Sequence, residues 1–292
     1  YLKRNNGEGV LRIDSHGAVT GMWTPLGQSS ESIFVVDHLI ISGTSVIAAP
    51  EHDMPIQANN VSIYSGANLT HQPATITDTY SLQLNITGKL LISTTGKIDV
   101  SARGYLAGRT LGNTTVGGAT VGAGGSYGGL GHSATYDGDG QPNTTYGDYR
   151  NPNELGSGRG PGWGYAGAGA GGGLARITAG TAIIEGSLLA NGENGRCDHF
   201  RDAAGSGGGI LLNVGVLSGN GLIAANGGNG ICNGGAGGGG RVAVYYDDVA
   251  SFDLLANVRA HGGDGGAGAG AVGTVYLKRN NGEGVLRIDS HG

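Results

Sequence analysis

"GGGLARIT" (171–178), "GGGILLNV" (207–214), "GGGGRVAVYY" (237–246) and "AVGTVYLK" (271–278) are four versions of one phrase: a glycine-rich approach, then a short run with apolar residues at alternate positions. The inward pairs this pattern assigns are Ala175 and Ile177, Ile210 and Leu212, Val242 and Val244, and Val275 and Leu277, at spacings of 35, 32 and 33 residues. An amphipathic helix would repeat its apolar residues three and four apart; a period of two is that of a strand with one buried face.

A second phrase runs in step with the first. "SLLANG" (187–192), "LIAANG" (222–227), "VRAHG" (258–262) and "RIDSHG" (287–292) each carry an apolar residue, any residue, a small one, a turn residue and glycine, with earlier copies at 13–17 and 100–104. The leading residues Leu188, Ile223, Val258 and Ile288 are 35, 35 and 30 apart. A unit of this length built from short strands cannot bury an apolar face alone, but stacked copies can. "FVVDHLIISG" (34–43) and "SLQLNITGKLLIS" (81–93) continue the rhythm in more compact coils. The expectation is an all-β chain folded as a right-handed parallel β-helix. The residue before the phrase's glycine is His16, Arg103, Asn191, Asn226, His261 or His291. Asn and His at such a strand exit are expected to take the left-handed conformation of a tight turn.

Glycine supplies 63 of the 292 residues, about three times the usual share of roughly 7%. It clusters between β-branched segments, which argues for order, and no G-X-Y period holds, which excludes collagen. The blocks Gly117 to Gly131, Gly156 to Gly173 and Gly234 to Gly240 are read as excursions from the coil, mainly over 117–173, forming a second layer where backbones approach closely and take positive φ. Turns and packed polyproline II strands are both open for this layer. Tyr127, Tyr136, Tyr146, Tyr149, Trp163 and Tyr165 lie in these excursions and are expected to pack over glycine backbone.

The seventeen residues "YLKRNNGEGVLRIDSHG" occur twice, as Tyr1 to Gly17 and again, unchanged, as Tyr276 to Gly292. Residues 1–275 are therefore read as one repeat unit and 276–292 as the start of the next, within a longer precursor. A solenoid ends in an open row of backbone groups, and a unit that runs into a copy of its own beginning joins head to tail. The two copies are expected to share one strand-turn-strand conformation, each unit advancing the axis by about 40 to 50 Å.

Lys and Arg number 17 against 22 Asp and Glu, with no basic run, so a nucleic-acid partner is not expected. The most apolar stretch is interrupted by Asp37 and His38 and is too short for a membrane span. Five N-x-[ST] sequons, at Asn60, Asn68, Asn85, Asn113 and Asn143, point to N-linked glycans on a secreted protein. Leu82, Leu84 and Ile86 alternate inward, which turns Asn85 to solvent. Cys197 and Cys232 hold the same place in "NGENGRC" (191–197) and "NGGNGIC" (226–232), one 35-residue coil apart, so stacking brings them to disulfide distance.

Signs of catalysis are sparse. Polysaccharide-cleaving β-helices need carboxylates projecting together from neighbouring strands, whereas the acidic residues here are dispersed. No nucleophile motif or dinucleotide fingerprint is present, because the glycine runs enter strands and not helices. His261 and His291 could meet in adjacent coils, but two histidines make an incomplete metal site and a turn role is preferred. Asp137 and Asp139 in "YDGDGQP" (136–142) resemble half of a calcium loop and are the best calcium candidates, with a solvated turn the better explanation. Asp247 and Asp248 form an acidic strand exit. No cofactor and no enzymatic activity are expected.

"ANGGNGICNGGAGGGGRVAVYY" (225–246), with its echoes "LANGENG" (189–195) and "SGGGILLNV" (206–214), resembles the glycine-rich β-helical tandem repeats of very large secreted surface proteins of algae, oomycetes and other protists. The resemblance covers Leu174 to Gly292 well and the first half loosely. It implies a β-helical architecture and a part in extracellular fibrils, flagellar hairs (mastigonemes) among them. The expected function is thus a structural repeat of an extracellular, glycosylated fibre, with a β-helical adhesin or carbohydrate-binding stalk as the alternative and a polysaccharide lyase or hydrolase behind both.

Overall fold

A computed structural model describes residues 1–3, 7–19, 21–64, 66–134, 140–161, 169–197 and 202–289. Among them there are seventeen strands and no helix. In chain order they are β1 (Leu2–Lys3), β2 (Gly9–Asp14), β3 (Trp23–Leu26), β4 (Phe34–Ser42), β5 (Ile47–Pro50), β6 (Ile56–Ile63), β7 (Asn68–Leu69), β8 (Leu82–Ile92) and β9 (Lys97–Asp99). There follow β10 (Leu174–Ile184), β11 (Ser187–Leu189), β12 (Gly209–Ser218), β13 (Leu222–Ala224), β14 (Arg241–Val249), β15 (Val258–Arg259), β16 (Thr274–Arg279) and β17 (Gly284–Arg287).

Successive strands alternate between two sheets. The larger has the order β1-β2-β4-β6-β8-β10-β12-β14-β16-β17 and the smaller β15-β13-β11-β9-β7-β5-β3. Pairing from β2 through β16 in the first sheet, and throughout the second, is parallel, as in a parallel β-helix. The registers join Ala175 to Ile210, Val242 and Val275, and Ile177 to Leu212, Val244 and Leu277, the columns read from the sequence. These side chains meet Leu188, Ile223 and Val258 of the second sheet in one apolar core that runs the length of the stack.

Three details of the sequence reading change. Ile98, not Val100, pairs with Leu188, so the earlier copy is shifted by two residues and Ser101, not Arg103, takes the turn position. A two-residue slip keeps every side chain on its face, which is why alternation alone could not detect it. Ile13 lies in the first sheet, opposite Ile41, and so is not in the column of Ile223. Finally, His16 takes the expected positive φ, at 48°, but Asn191, Asn226 and His261 do not. They stack instead: Asn226 N–H donates to Asn191 Oδ1 and His261 N–H to Asn226 Oδ1, both at 2.8 Å. A parallel file of such bonds joins Asn229 N–H to Asn194 Oδ1 at 2.7 Å and Asp264 N–H to Asn229 Oδ1 at 2.9 Å.

Between β9 and β10 the chain makes one long excursion, residues 100–173, which with the glycine segments of later coils forms the second layer. Successive backbone donors there go to different neighbours with a period of three. Ala204 and Gly207 donate to Gly235 and Gly238; Gly205 and Gly208 donate to Glu193 and Ala190; Ser206 donates to Ser157. One coil later Gly235 and Gly238 donate to Gly122 and Gly125, Ala236 and Gly239 to Gly268 and Ala271, and Gly237 and Gly240 to Gly228 and Ala225. A three-residue period with all bonds made between segments is that of packed polyproline II strands. Positive φ is not what demands glycine in 203–209 and 234–240, since none of those residues has it. Close approach does: a Cβ on Gly207 would overlap the carbonyl oxygen of Ala225, and one on Gly237 that of Gly205. Tyr127 is buried and stacks on Tyr146 at 4.9 Å, with the Arg241 guanidinium over its ring. Tyr136, Trp163 and Tyr165 lie outside the described residues.

Candidate functional site

The duplicated segment forms the two outer edges of the first sheet, and both copies fold as an antiparallel hairpin, not as a further parallel coil. In the first copy Leu2 pairs with Val10 and Lys3 with Gly9. In the second, the equivalent Leu277 pairs with Val285 and Lys278 with Gly284. Both copies seat a tyrosine hydroxyl, of Tyr1 or Tyr276, where the Cβ of Gly9 or Gly284 would lie, and both pair Arg with Asp two residues on, as Arg12–Asp14 and Arg287–Asp289. The expected identity of conformation holds at the level of register. Glycine after Glu8 and Glu283 is thus required by a ring crossing the partner strand.

The copies differ in which half is covered. Tyr276 and Leu277 are 8% and 6% exposed, held by parallel pairing to β14, whereas Tyr1 and Leu2 are 69% and 79% exposed. Conversely Val10, Leu11 and Ile13 are half-buried against β4, while Val285 and Ile288 are 57% and 65% exposed. The polar contacts divide in the same way, except that Arg287 Nη1 in the second copy also donates to Leu254 O at 3.2 Å. In the second copy the Tyr276 ring packs against Tyr149 and Tyr245 at 5.4 and 5.8 Å, Arg279 donates to Asp247 O and Asn280 to Asp247 Oδ1, both at 2.8 Å. In the first copy Glu8 meets His38 Nε2 at 2.6 Å and accepts from Asn59 Nδ2 at 3.1 Å, while Gly9 N–H donates to Asp37 at 2.7 Å. The two contact sets use different members of the seventeen residues, so one hairpin is able to satisfy both.

The remaining sequence candidates are scattered. Cys197 and Cys232 form a disulfide between adjacent coils, with Cα atoms 5.7 Å apart, a bond suited to an oxidising compartment. Asn85 is exposed on β8, as the alternation of Leu82, Leu84 and Ile86 requires, and lies in a shallow groove of about 710 Å3 on the outer face of the first sheet, with Asp37, Gln57, Asn59, Thr178 and Asp247. A one-residue bulge in β8 opposite Ala58–Val61 and Ala179–Thr181 bends this face. Asn60 and Asn113 are half-buried, with Asn60 Oδ1 accepting from Lys89 N–H and Asn113 Nδ2 donating to Thr75 O. Asn68 is buried and accepts from Asp99 N–H. Asn143 departs most from a glycan acceptor: its buried Nδ2 faces Thr110 Oγ1, Ser126 O, Thr144 O and Ser157 Oγ at 2.9 to 3.2 Å, which leaves no room for a sugar in the folded chain. It is a structural residue, locking the excursion internally. Asp137, Asp139 and His291 lie outside the described residues.

Edge hairpins, ladders and the glycine layer left no signal in apolar periodicity, because main-chain pairing and Asn side chains decide them, not apolar burial. The hairpin did have one: "NNGEG", a glycine-bearing turn between two apolar runs, at 5–9 and again at 280–284. No family model, curated protein or solved structure matches the chain.

Proposed function

We propose that residues 1–275 are the structural repeat of an extracellular, N-glycosylated fibre, and that consecutive units join head to tail through a single shared copy of the seventeen-residue hairpin. The observation that carries this reading is the division of labour between the copies: what one leaves exposed the other covers, with no residue needed twice. The disulfide and the exposed sequon at Asn85 agree with secretion. Eight inter-strand steps separate β1 from its equivalent β16, so a unit advances the axis by about 38 Å, slightly below the range expected from sequence.

Electron microscopy of the protein secreted by its source tests the reading. Unbranched filaments with an axial rise of about 38 Å per unit are expected, together with glycopeptides occupied at Asn85 and bare at Asn143. Discrete single-unit particles would overturn the fibre. A carbohydrate-binding stalk is the second reading, favoured by the groove around Asn85, where Asp37, Gln57 and Asn59 lie among apolar side chains; glycan-array binding by single units would promote it.

A further inference from the structure

Resting on the fibre reading, we infer that the shared hairpin reverses the sheet: at every joint the strands change direction, the core crosses to the opposite face, and successive units are related by about half a turn around the fibre axis.

The inference follows from pairing direction. Within a unit, β2 through β16 run parallel in the first sheet, while β1 is antiparallel to β2 and β17 to β16. Let β16 of one unit serve as β1 of the next, and β17 as its β2. The sheet then continues without a gap from β14 through the hairpin to β4 of the following unit, and every strand beyond the hairpin points the other way.

The side chains give the same answer independently. Val275 and Leu277 face the core of their own unit, and antiparallel pairing puts Arg287 and Val285 on that same face. The equivalents of those two residues, Arg12 and Val10, point away from the following unit's core, because its core side is occupied by Leu11 and Ile13 beside the buried Leu39 and Ile41. The core-facing Leu11 corresponds to Leu286, whose partner Tyr276 lies on the outer face of the preceding unit, among Tyr149 and Tyr245. Alternation of side chains along a strand is obligatory, so the core must change sides at the hairpin.

Chirality excludes a simple translation. Both units are the same L-polypeptide and wind with the same hand, so a strand reversed on one face of the sheet must carry its second sheet on the other face. The operation that does both is rotation about the axis by close to half a turn, adjusted by sheet twist. The resulting filament repeats every two units, about 77 Å, with second sheets, glycine layers and Asn85 glycans alternating from side to side. The joint is selective through the turn: Glu283 would be gripped by His38 and Asn59 of the following unit, as Glu8 is within its own.

The test is a chain in which residues 1–275 run directly into residues 1–292, imaged by cryo-electron microscopy. The expected result is two lobes with one unbroken sheet between them and their glycine layers on opposite sides. Two rigidly joined lobes with glycine layers on the same side would overturn the reversal while leaving the fibre reading intact. Lobes with no fixed relation would overturn both. Glu283→Ala at the internal joint should broaden the distribution of inter-lobe angles while each lobe keeps its melting temperature; an unchanged distribution would remove the turn contact from the joint.

Discussion

His71 is a side chain whose burial makes a strong demand on solution conditions. It is 1% exposed, its Nδ1–H donates to Gln72 O at 2.6 Å, and its Nε2 accepts from Leu174 N–H at 3.3 Å, at the point where the excursion re-enters β10. Only a neutral ring can do both. Burial, assisted by the nearby Arg103 charge, pushes its pKa from 6.5 down to about 3. The unfolded chain therefore binds one more proton than the native one between those values. Stability is fully present above about pH 6.5 and is lost as pH falls toward 3, by up to about 1.4 kcal/mol per pH unit. Thermal unfolding across this range should show the slope, and His71→Gln should flatten it; a wild-type profile already flat would sink the assignment. The disulfide opposes such loss by closing a loop of 35 residues, worth about 3 to 4 kcal/mol on the chain-entropy model.

Among the elements, the glycine layer is the most sensitive to sequence. Gly207→Ala and Gly237→Ala each drive a methyl group into backbone that is itself hydrogen-bonded and cannot retreat, so each should cost more than the roughly 3 kcal/mol of ordinary overpacking. Gly21→Ala, which meets open space, should unfold at the parent temperature. Melting curves of the three variants decide the matter, and a Gly207→Ala protein as stable as Gly21→Ala would refute the close-packed layer. This contrast bears on what a sequence displays. The columns Ala175–Ile210–Val242 and Leu188–Ile223–Val258 were readable because burial imposes a period of two, and the cysteines because they sit at one register. Glycine-on-glycine packing has no side-chain period to read, so its polyproline II form stayed open. The burial of Asn143 was hidden for a related reason, since a sequon is read from three residues and Thr110, Ser126 and Ser157 are remote in the chain.

At the scale of the whole molecule, several kinds of bond lie along the stacking axis: two largely parallel sheets, two side-chain ladders, one disulfide and the layer of glycine strands. The ladders have a consequence for how long such material lasts. Asn191, Asn194, Asn226 and Asn229 are each followed by glycine, the dipeptide most prone to deamidation, in which the glycine nitrogen attacks the side-chain amide. Here that nitrogen is occupied: Gly192 and Gly195 donate to the carbonyls of Asn226 and Asn229, Gly227 to that of His261 and Gly230 to that of Asp264, at 2.8 to 2.9 Å. The amide oxygen of each Asn is engaged by the next coil as well. Cyclisation would need both bonds broken together, so the four sites should age only as fast as the coil opens, while at Asn281 the one bond of Gly282 N–H, to Arg279 O at 2.9 Å, closes only an exposed hairpin turn, and this site should age faster than the four. Peptide mass spectrometry after prolonged incubation would register the difference as deamidation at Asn281 ahead of the other four. A stack of coils that shields its own weakest covalent chemistry can persist with no machinery to renew it.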